Sequence, residues 1–461
     1  MISLNDTIAA IATPVGSGGI GIIKISGLVS LKISQKIFKS KGISNNKFKS
    51  HHMYLGYIIE PESKKIIDEV LYVFMKAPNS YTGEDVVEIH THGSRLVLNT
   101  ILELLLNDNH IRLAQAGEFT KRAFLNGKID LTKAEALQDL ISSKTYKSLL
   151  MASSQLNGSL NDEIEKIRLN ITNALSQIEA SIDFFEECEE ISYDNICLIL
   201  DEVTDLICKL LNKYKEGKIF KEGIKIVITG QPNVGKSSLM NCLANKQRSI
   251  VTSIPGTTRD VIEDYIEIDG IPFFIADTAG LHKTDNSLEN IGIDLAKQYI
   301  SQADLVIFVI DASKTITEKD FHIYNEISSK KIIVALNKID LVKQDQIAYI
   351  PENWNIDSCK ISAKYETGID ILKKQIIDII GISEGDPFLH ENYAPNLRHK
   401  NILENVLELI NSAKNGLISN IEPDLIAIDL RLGLDKIGEI AGFTYTDDIL
   451  DRIFSQFCIG K

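Results

Sequence analysis

The sequence predicts an α/β plus α architecture: an α/β unit inserted in a helical host, preceded by a mixed α+β N-terminal segment. Three changes of apolar spacing predict it. Residues 1 to about 120 read as short apolar runs, such as 21–25 and 70–75, between Gly, Pro and Asn turn signals. From about 125 to 220 the period turns helical, with Ile164, Ile167, Ile171, Leu175, Ile178 and Ile182 stepping by three and four, then Ile196, Leu200, Val203, Ile207 and Leu211. Strand-like runs return near Gly223 and continue to about 380, and helical spacing resumes beyond Pro387 at Leu403, Val406, Ile410, Ala413 and Leu417. Two helical stretches flanking one α/β run are most economically one domain interrupted by an insertion, which is tolerated where the host's ends lie close together. The expected divisions are 1–122, 123–221, 222–384 and 385–461.

Length and composition bound the rest. At 461 residues the chain exceeds one ordinary core, and about three domains are expected. Hydrophobic content of 44% with 24% charged residues is that of a soluble globular protein. No apolar run reaches about 18 residues and the N-terminus lacks a basic-then-apolar signal, so a cytoplasmic protein with no membrane span is expected. Cysteines 188, 197, 208, 242, 359 and 458 include no Cys-x-x-Cys pair, which fits neither a zinc site nor a disulfide framework. A net charge of −14 argues against broad, nonspecific nucleic-acid binding. It leaves room for an RNA met through a local basic patch or a partner protein.

Within the α/β unit the elements follow one another in a telling order. A buried-type strand at 224–229 runs into Gly230-Gln231-Pro232-Asn233-Val234-Gly235-Lys236-Ser237, and a helix begins at Ser238. Strand–loop–helix is the context in which this pattern cradles phosphates. Its glycines turn successive N–H groups inward, Lys236 reaches the β- and γ-phosphates, and the Ser237 hydroxyl ligates magnesium. The runs 264–268 and 272–276, joined through Asp269-Gly270, predict a hairpin. After the second of these, Asp277-Thr278-Ala279-Gly280 stands where a carboxylate holds magnesium through water and a glycine N–H senses the γ-phosphate. Strands at 305–310, 332–336 and 359–361 follow. Asn337-Lys338-Ile339-Asp340 ends the second of these three, and the Asp340 carboxylate suits the ring N–H and amine of guanine, an edge adenine lacks. Ser362-Ala363-Lys364 supplies N–H groups for the guanine oxygen. Each tetrapeptide alone reads equally as a polar loop; all in order at strand ends, they predict GTP.

The hydrolytic parts depart from the common pattern. Leu281 follows Gly280 where many GTPases keep a water-positioning glutamine. Asn233 could ligate a monovalent cation beside the β–γ bridge, or simply stabilise its turn. The segment Thr252, Ser253, Ile254, Pro255, Gly256, Thr257, Thr258 offers further carbonyls, with Thr258 as the second magnesium ligand. Glu289 could position the water, or be an ordinary exposed helix carboxylate. His282 and His399 read as loop histidines.

Nearly end to end, the chain resembles the bacterial tRNA-modification GTPase family MnmE, also called TrmE. The segments carrying the resemblance are 6–14 (DTIAAIATP), 79–85 (NSYTGED), 117–126 (GEFTKRAFLN), the GTPase set, and the terminal Phe457-Cys458-Ile459-Gly460-Lys461. The resemblance implies an N-terminal folate-binding domain that also forms the homodimer, a helical domain, and the inserted phosphate-loop GTPase domain. It implies a flavoprotein partner, MnmG, which uses FAD and NADH and joins in a heterotetramer. Together they place an aminomethyl or carboxymethylaminomethyl group at carbon 5 of the wobble uridine in certain tRNAs, with 5-formyltetrahydrofolate or a related tetrahydrofolate as one-carbon source. It further implies GTP hydrolysis activated by potassium and by pairing of GTPase domains, with Asn233, Thr252, Ile254 and Thr257 around the potassium and Glu289 catalytic.

Folate-site positions carried over by the resemblance are Lys24, Glu88, Lys128 and Lys461. Lysines suit an anionic glutamyl tail, and a carboxylate pairs with the adjacent ring N–H and amine of a pterin. Lys24 stands where the family pattern has arginine, so the charge is kept and the bidentate fork is lost. Cys458, three residues from Lys461, is a candidate for chemistry on the base or carbon donor, or a buried small hydrophobe. From the GTPase parts alone the alternative is a GTP-dependent binding switch, for example in ribosome assembly, without chemistry of its own.

Overall fold

The computed structural model describes residues 6–14, 16–42, 47–183, 193–245, 263–277, 298–342, 350–354, 356–381 and 393–461. The N-terminal part is a seven-stranded sheet of β1 (Thr7–Ile11), β2 (Ile20–Ser26), β3 (Phe38–Ser40), β4 (Met53–Ile59), β5 (Ile66–Met75), β6 (Val86–His92) and β7 (Ile111–Leu113), in the order β3-β4-β5-β6-β2-β1-β7. All neighbours run antiparallel except the β1–β7 pair. Strand periodicity sorts the faces. Ile23, Ile25, Tyr72, Phe74, Val87 and Ile89 point to a core closed by α1 (Ser30–Ile37) and α2 (Arg95–Leu106), whose Ile33, Ile37, Leu98, Ile101 and Leu105 are buried there. Lys24, Glu88 and His90 alternate onto the opposite face.

The chain then becomes helical through α3 (Glu118–Leu125), α4 (Leu131–Ser142) and α5 (Tyr146–Leu156). The division expected at 122/123 falls inside α3. That helix serves two cores: Phe119 packs with Ile8, Ala10 and Ala114, whereas Phe124 packs with Leu131, Leu450, Phe454 and Phe457.

The main helical core is built by α6 (Ser159–Asp183) and α7 (Tyr193–Glu222) together with residues from the C-terminal part of the chain. Ile164, Ile167, Ile171, Ile178, Leu200, Val203 and Ile207 lie fully buried in it, as their spacing predicts. Beyond α7 the chain enters a six-stranded sheet, β8 (Ile224–Thr229), β9 (Glu263–Ile268), β10 (Ile271–Asp277), β11 (Leu305–Asp311), β12 (Ile332–Asn337) and β13 (Ser358–Lys360), in the order β13-β12-β11-β8-β10-β9. It is parallel throughout except for the β9–β10 hairpin, whose Asp269 and Gly270 have φ of 52° and 79°, the left-handed pair that a two-residue turn requires. Helices α8 (Lys236–Asn245), α9 (Glu318–Ile327) and α10 (Ile369–Ile380) accompany the sheet.

The chain returns at Tyr393-Ala394 into α11 (Leu397–Ile418), α12 (Pro423–Ala441) and α13 (Asp447–Phe454). Leu403, Val406, Ile410, Ala413, Leu417, Leu430 and Ile437 complete the core begun by α6 and α7, so the α/β unit is an insertion. Its outgoing and returning connections are held together. A Cβ added to Gly217 would lie 2.0 Å from that of Ala394, so only glycine permits this approach. Lys221 Nζ donates to the Ala394 carbonyl at 2.9 Å and pairs with Asp139 at 2.8 Å, and Lys213 Nζ donates to the Tyr393 hydroxyl at 2.6 Å.

Candidate nucleotide and folate sites

Parallel pairing brings the carboxyl ends of β8, β10, β11, β12 and β13 to one edge, where ligands of open α/β sheets bind. The loop after β8 has the left-handed residues Asn233 (φ 66°) and Gly235 (φ 99°), a conformation that turns consecutive N–H groups to one side. Lys236, 7% exposed, opens α8 and folds back to donate from Nζ to the carbonyls of Gly230 and Gln231, both at 2.9 Å. Val234 is buried beneath the loop, and Ser237 and Ser238 follow, exposed, in the first turn of α8.

Asn337 joins this loop to the other motifs. Its Nδ2 donates to the Val234 carbonyl at 2.8 Å, and its Oδ1 accepts from the Ala363 N–H at 2.9 Å. A Cβ on Gly235 would sit 2.2 Å from Asn337 Nδ2, so this glycine is required by contact as well as by φ. Lys338, itself left-handed at φ 64°, donates from Nζ to the Asn233 carbonyl at 2.7 Å and to Asp311 Oδ2 at 2.8 Å. Burial of Asp311 opposes its charge, but Lys338 and the Ser313 hydroxyl and N–H outweigh it and hold the carboxyl below its usual range. Asp340 lies in the 3-10 turn after β12, where its Oδ1 accepts from Ser362 Oγ at 2.6 Å. Lys364 is exposed beside Tyr365.

The phosphate loop and both guanine-type loops therefore form one hydrogen-bonded edge. Asp277 closes β10 opposite Ile228, next to that edge. Thr252, Ser253, Ile254, Pro255, Gly256, Thr257, Thr258, Thr278, Ala279, Gly280, Leu281, His282 and Glu289 lie outside the described residues. An oxyanion cradle with a lysine at its rim suits a nucleotide's phosphates.

A second cluster forms on the face of the N-terminal sheet opposite α1 and α2, where α3 and the terminal segment pack. Lys24 and Glu88 are register partners on β2 and β6, with Nζ 3.9 Å from Oε1. The Lys24 ammonium lies 5.2 Å from the Tyr81 ring and 5.6 Å from the Phe119 ring. Burial pushes the Lys24 pKa below the ordinary lysine range; Glu88 opposes the shift and the nearby Lys461 ammonium adds to it. Lys461 is delivered by the terminal segment, through a bridge between Ile459 and Ala116 and a Gly117 N–H to Cys458 carbonyl bond of 3.4 Å. Lys128 stands apart from the pair, donating to the Pro78 carbonyl at 3.0 Å in the loop that carries Tyr81. Cys458 is exposed, which removes the buried-hydrophobe alternative. Two ammonium groups, one carboxylate and the exposed Tyr81 ring, with Phe119 fully buried behind them, fit an anionic ligand with a flat donor edge.

Residues 7–128 match the family described as GTP-binding protein TrmE N-terminus, and residues 131–458 match the MnmE helical domain. The chain belongs to the MnmE family. Similar proteins include the tRNA modification GTPase MnmE of Carboxydothermus hydrogenoformans, 45% identical over 464 residues (99% of this chain and 100% of that protein). The MnmE of Clostridioides difficile is 44% identical over 465 residues, again 99% and 100% of the two chains. Among solved structures, Era of Aquifex aeolicus bound to GDP and AlF4− is 28% identical over 40% of this chain and 66% of that one, with a TM-score of 0.29.

In this MnmE-family chain three groupings went unread in the sequence. His399 is no loop residue: it lies in the first turn of α11, fully buried, with Nε2 2.6 Å from Glu135 Oε2 on α4. The Asn396 N–H donates to Nδ1 at 3.2 Å, which leaves the ring proton on Nε2 for Glu135. Arg398 clamps the same carboxylate with both ends, at 2.8 and 2.9 Å, and continues to the carbonyls of Glu439 and Ile440 on α12. Arg122, 1% exposed, gathers Asp6, Glu84 and Glu118. His90 bonds Glu88. The last was legible, since residues two apart on a strand share a face, and so was the i,i+4 pair Glu118–Arg122; Asp6, Glu84 and Glu135 join their partners from far away in sequence.

Proposed function

We propose that this chain is a GTP hydrolase of tRNA modification, working with a flavoprotein partner to add an aminomethyl or carboxymethylaminomethyl group at carbon 5 of a wobble uridine. The observation that carries the reading is the coexistence, in one chain, of the guanine-type edge knit by Asn337 with the Lys24–Glu88–Lys461 cluster closed by the terminal segment. The relatives named tRNA modification GTPase support it.

In this reading Lys236 holds the phosphates, and Ser237 and Thr258 hold magnesium. Asp340 selects guanine with the help of Asn337, Lys338, Ser362, Ala363 and Lys364. Asn233, Thr252, Ile254 and Thr257 hold a potassium ion that supplies the positive charge an arginine finger would bring, and Glu289 orients the water. Glu88 faces the pterin of a tetrahydrofolate, Lys24, Lys128 and Lys461 serve its anionic parts, and Cys458 stands exposed nearby. The chain acts as a homodimer whose GTPase units pair in the GTP state, with FAD and NADH entering only through the partner. Among the described residues no helix is long and apolar enough to cross a membrane, in keeping with a cytoplasmic enzyme.

Nucleoside mass spectrometry of tRNA from cells lacking this protein should show loss of the carbon-5 wobble substituent; an unchanged profile rejects the reading. GTP turnover by the purified protein should be roughly tenfold or more faster in potassium than in sodium at equal ionic strength, the scale of one well-placed transition-state charge. Equal rates would exclude the potassium role.

A further inference from the structure

Glu88 meets two different groups with its two oxygens. Lys24 Nζ on β2 faces Oε1 at 3.9 Å, and His90 Nε2 on β6 faces Oε2 at 3.3 Å. The side chains of Glu88 and His90 keep 23% and 22% exposure, open enough to reach a ligand and closed enough for a hydrogen bond to matter. On β5 the register neighbours of Glu88 and His90 are Val73 and Leu71, both uncharged, and Lys461 bears on the site through Lys24. The helices α1 and α2 pack on the other face.

Resting on the folate reading above, we propose that His90 is a positioning residue: its hydrogen bond to Oε2 fixes the Glu88 carboxylate as acceptor for the paired ring N–H and amine of a reduced pterin. A carboxylate held at one oxygen by an ammonium and at the other by an imidazole N–H has a defined plane, and its outer lone pairs remain for two parallel donors. A protonated carboxyl could not serve, because it presents a proton where the pterin presents another. The His90 hydrogen bond is the largest cause holding the Glu88 carboxyl below its usual range; burial works against it and Lys24 assists. A carboxyl so depressed stays ionised as pH falls, and removing the imidazole lets burial move its protonation to higher pH.

The test titrates wild-type protein, His90→Ala and His90→Gln with 5-formyltetrahydrofolate by calorimetry between pH 4.5 and 8.5. A 13C-carboxyl NMR titration of Glu88 is run on the same ligand-free proteins. His90→Ala should match wild type within about twofold at pH 8.5 and bind about threefold more weakly at pH 4.5, the effect of roughly one unit of carboxyl shift near the ordinary carboxylate range. Its Glu88 midpoint should rise. His90→Gln, which keeps a side-chain N–H donor, should follow wild type in both measurements. Folate binding by wild type with coincident pH profiles and Glu88 midpoints in His90→Ala overturns the role of His90 alone. Absence of binding by wild type at every pH overturns the folate reading and the role together.

Discussion

Arg122→Met is expected to lower the free energy of unfolding by about 3–5 kcal/mol, read as a fall in the urea midpoint at neutral pH. Methionine keeps the length and apolar stem but leaves the carboxylates around Arg122 short of a partner. The guanidinium donates to Asp6 Oδ1 at 2.6 Å, to the Asp6 carbonyl at 2.8 Å, to Glu84 at 3.2 Å and to Glu118 at 2.9 Å, so it pins the start of β1 and the Tyr81 loop to α3. Glu118 is 2% exposed, and a charge in that setting is expensive when unpaired. Burial alone would raise its pKa; Arg112, the Gln115 N–H and Arg122 outweigh burial and hold it below the usual range. The sign of the pH dependence follows. A depressed carboxyl contributes stability that is present above its unfolded value, about 4.3, and lost as pH falls through the folded value. The gap between wild type and Arg122→Met should therefore narrow below about pH 4, where the abandoned carboxylates take up protons. A gap independent of pH would assign the loss to packing.

Asp340→Asn should weaken GTP binding by about 3–4 kcal/mol, roughly 10²- to 10³-fold, in a direct titration with a fluorescent analogue. The carboxylate can accept from both the ring N–H and the amine of guanine, whereas an amide brings an N–H group against one of those donors. Ser362 Oγ already donates to Oδ1 at 2.6 Å, so the side chain is held in place before the base arrives. The same variant should gain affinity for xanthosine triphosphate, whose carbonyl replaces the guanine amine and accepts from the new amide. Equal loss of both nucleotides would mean that the substitution has disturbed the loop and not the recognition.

How much of this was legible depended on the range of the interactions. The phosphate loop, the hairpin at Asp269-Gly270 and the helical faces of α6, α7 and α11 were readable because their signals lie within one turn or one strand. The insertion followed from the return of helical spacing after Pro387. The expected division at 122/123 falls inside α3, a helix whose Phe119 and Phe124, five residues apart, belong to different cores. The motifs named Asn337 as part of a guanine loop, but not as the joint to Val234, more than a hundred residues away. His399 looked isolated because Glu135 stands more than 260 residues earlier and meets it only when α4 packs by α11. Charged clusters of this kind are products of tertiary packing, and local sequence carries no record of them.

The clasp between Gly217 and Ala394 has a consequence in polymer terms. To the helical core, the whole α/β unit is a single excursion whose two ends are already pinned, so closing that excursion is a fixed local cost. Lengthening it adds only about (3/2)RT times the logarithm of the ratio of lengths, roughly 0.6 kcal/mol for a doubling. The helical host is thus nearly indifferent to the length of what it carries between α7 and α11, whereas Met151 and Phe220, which pack in the α/β unit's own core, tie it to the surface that unit presents.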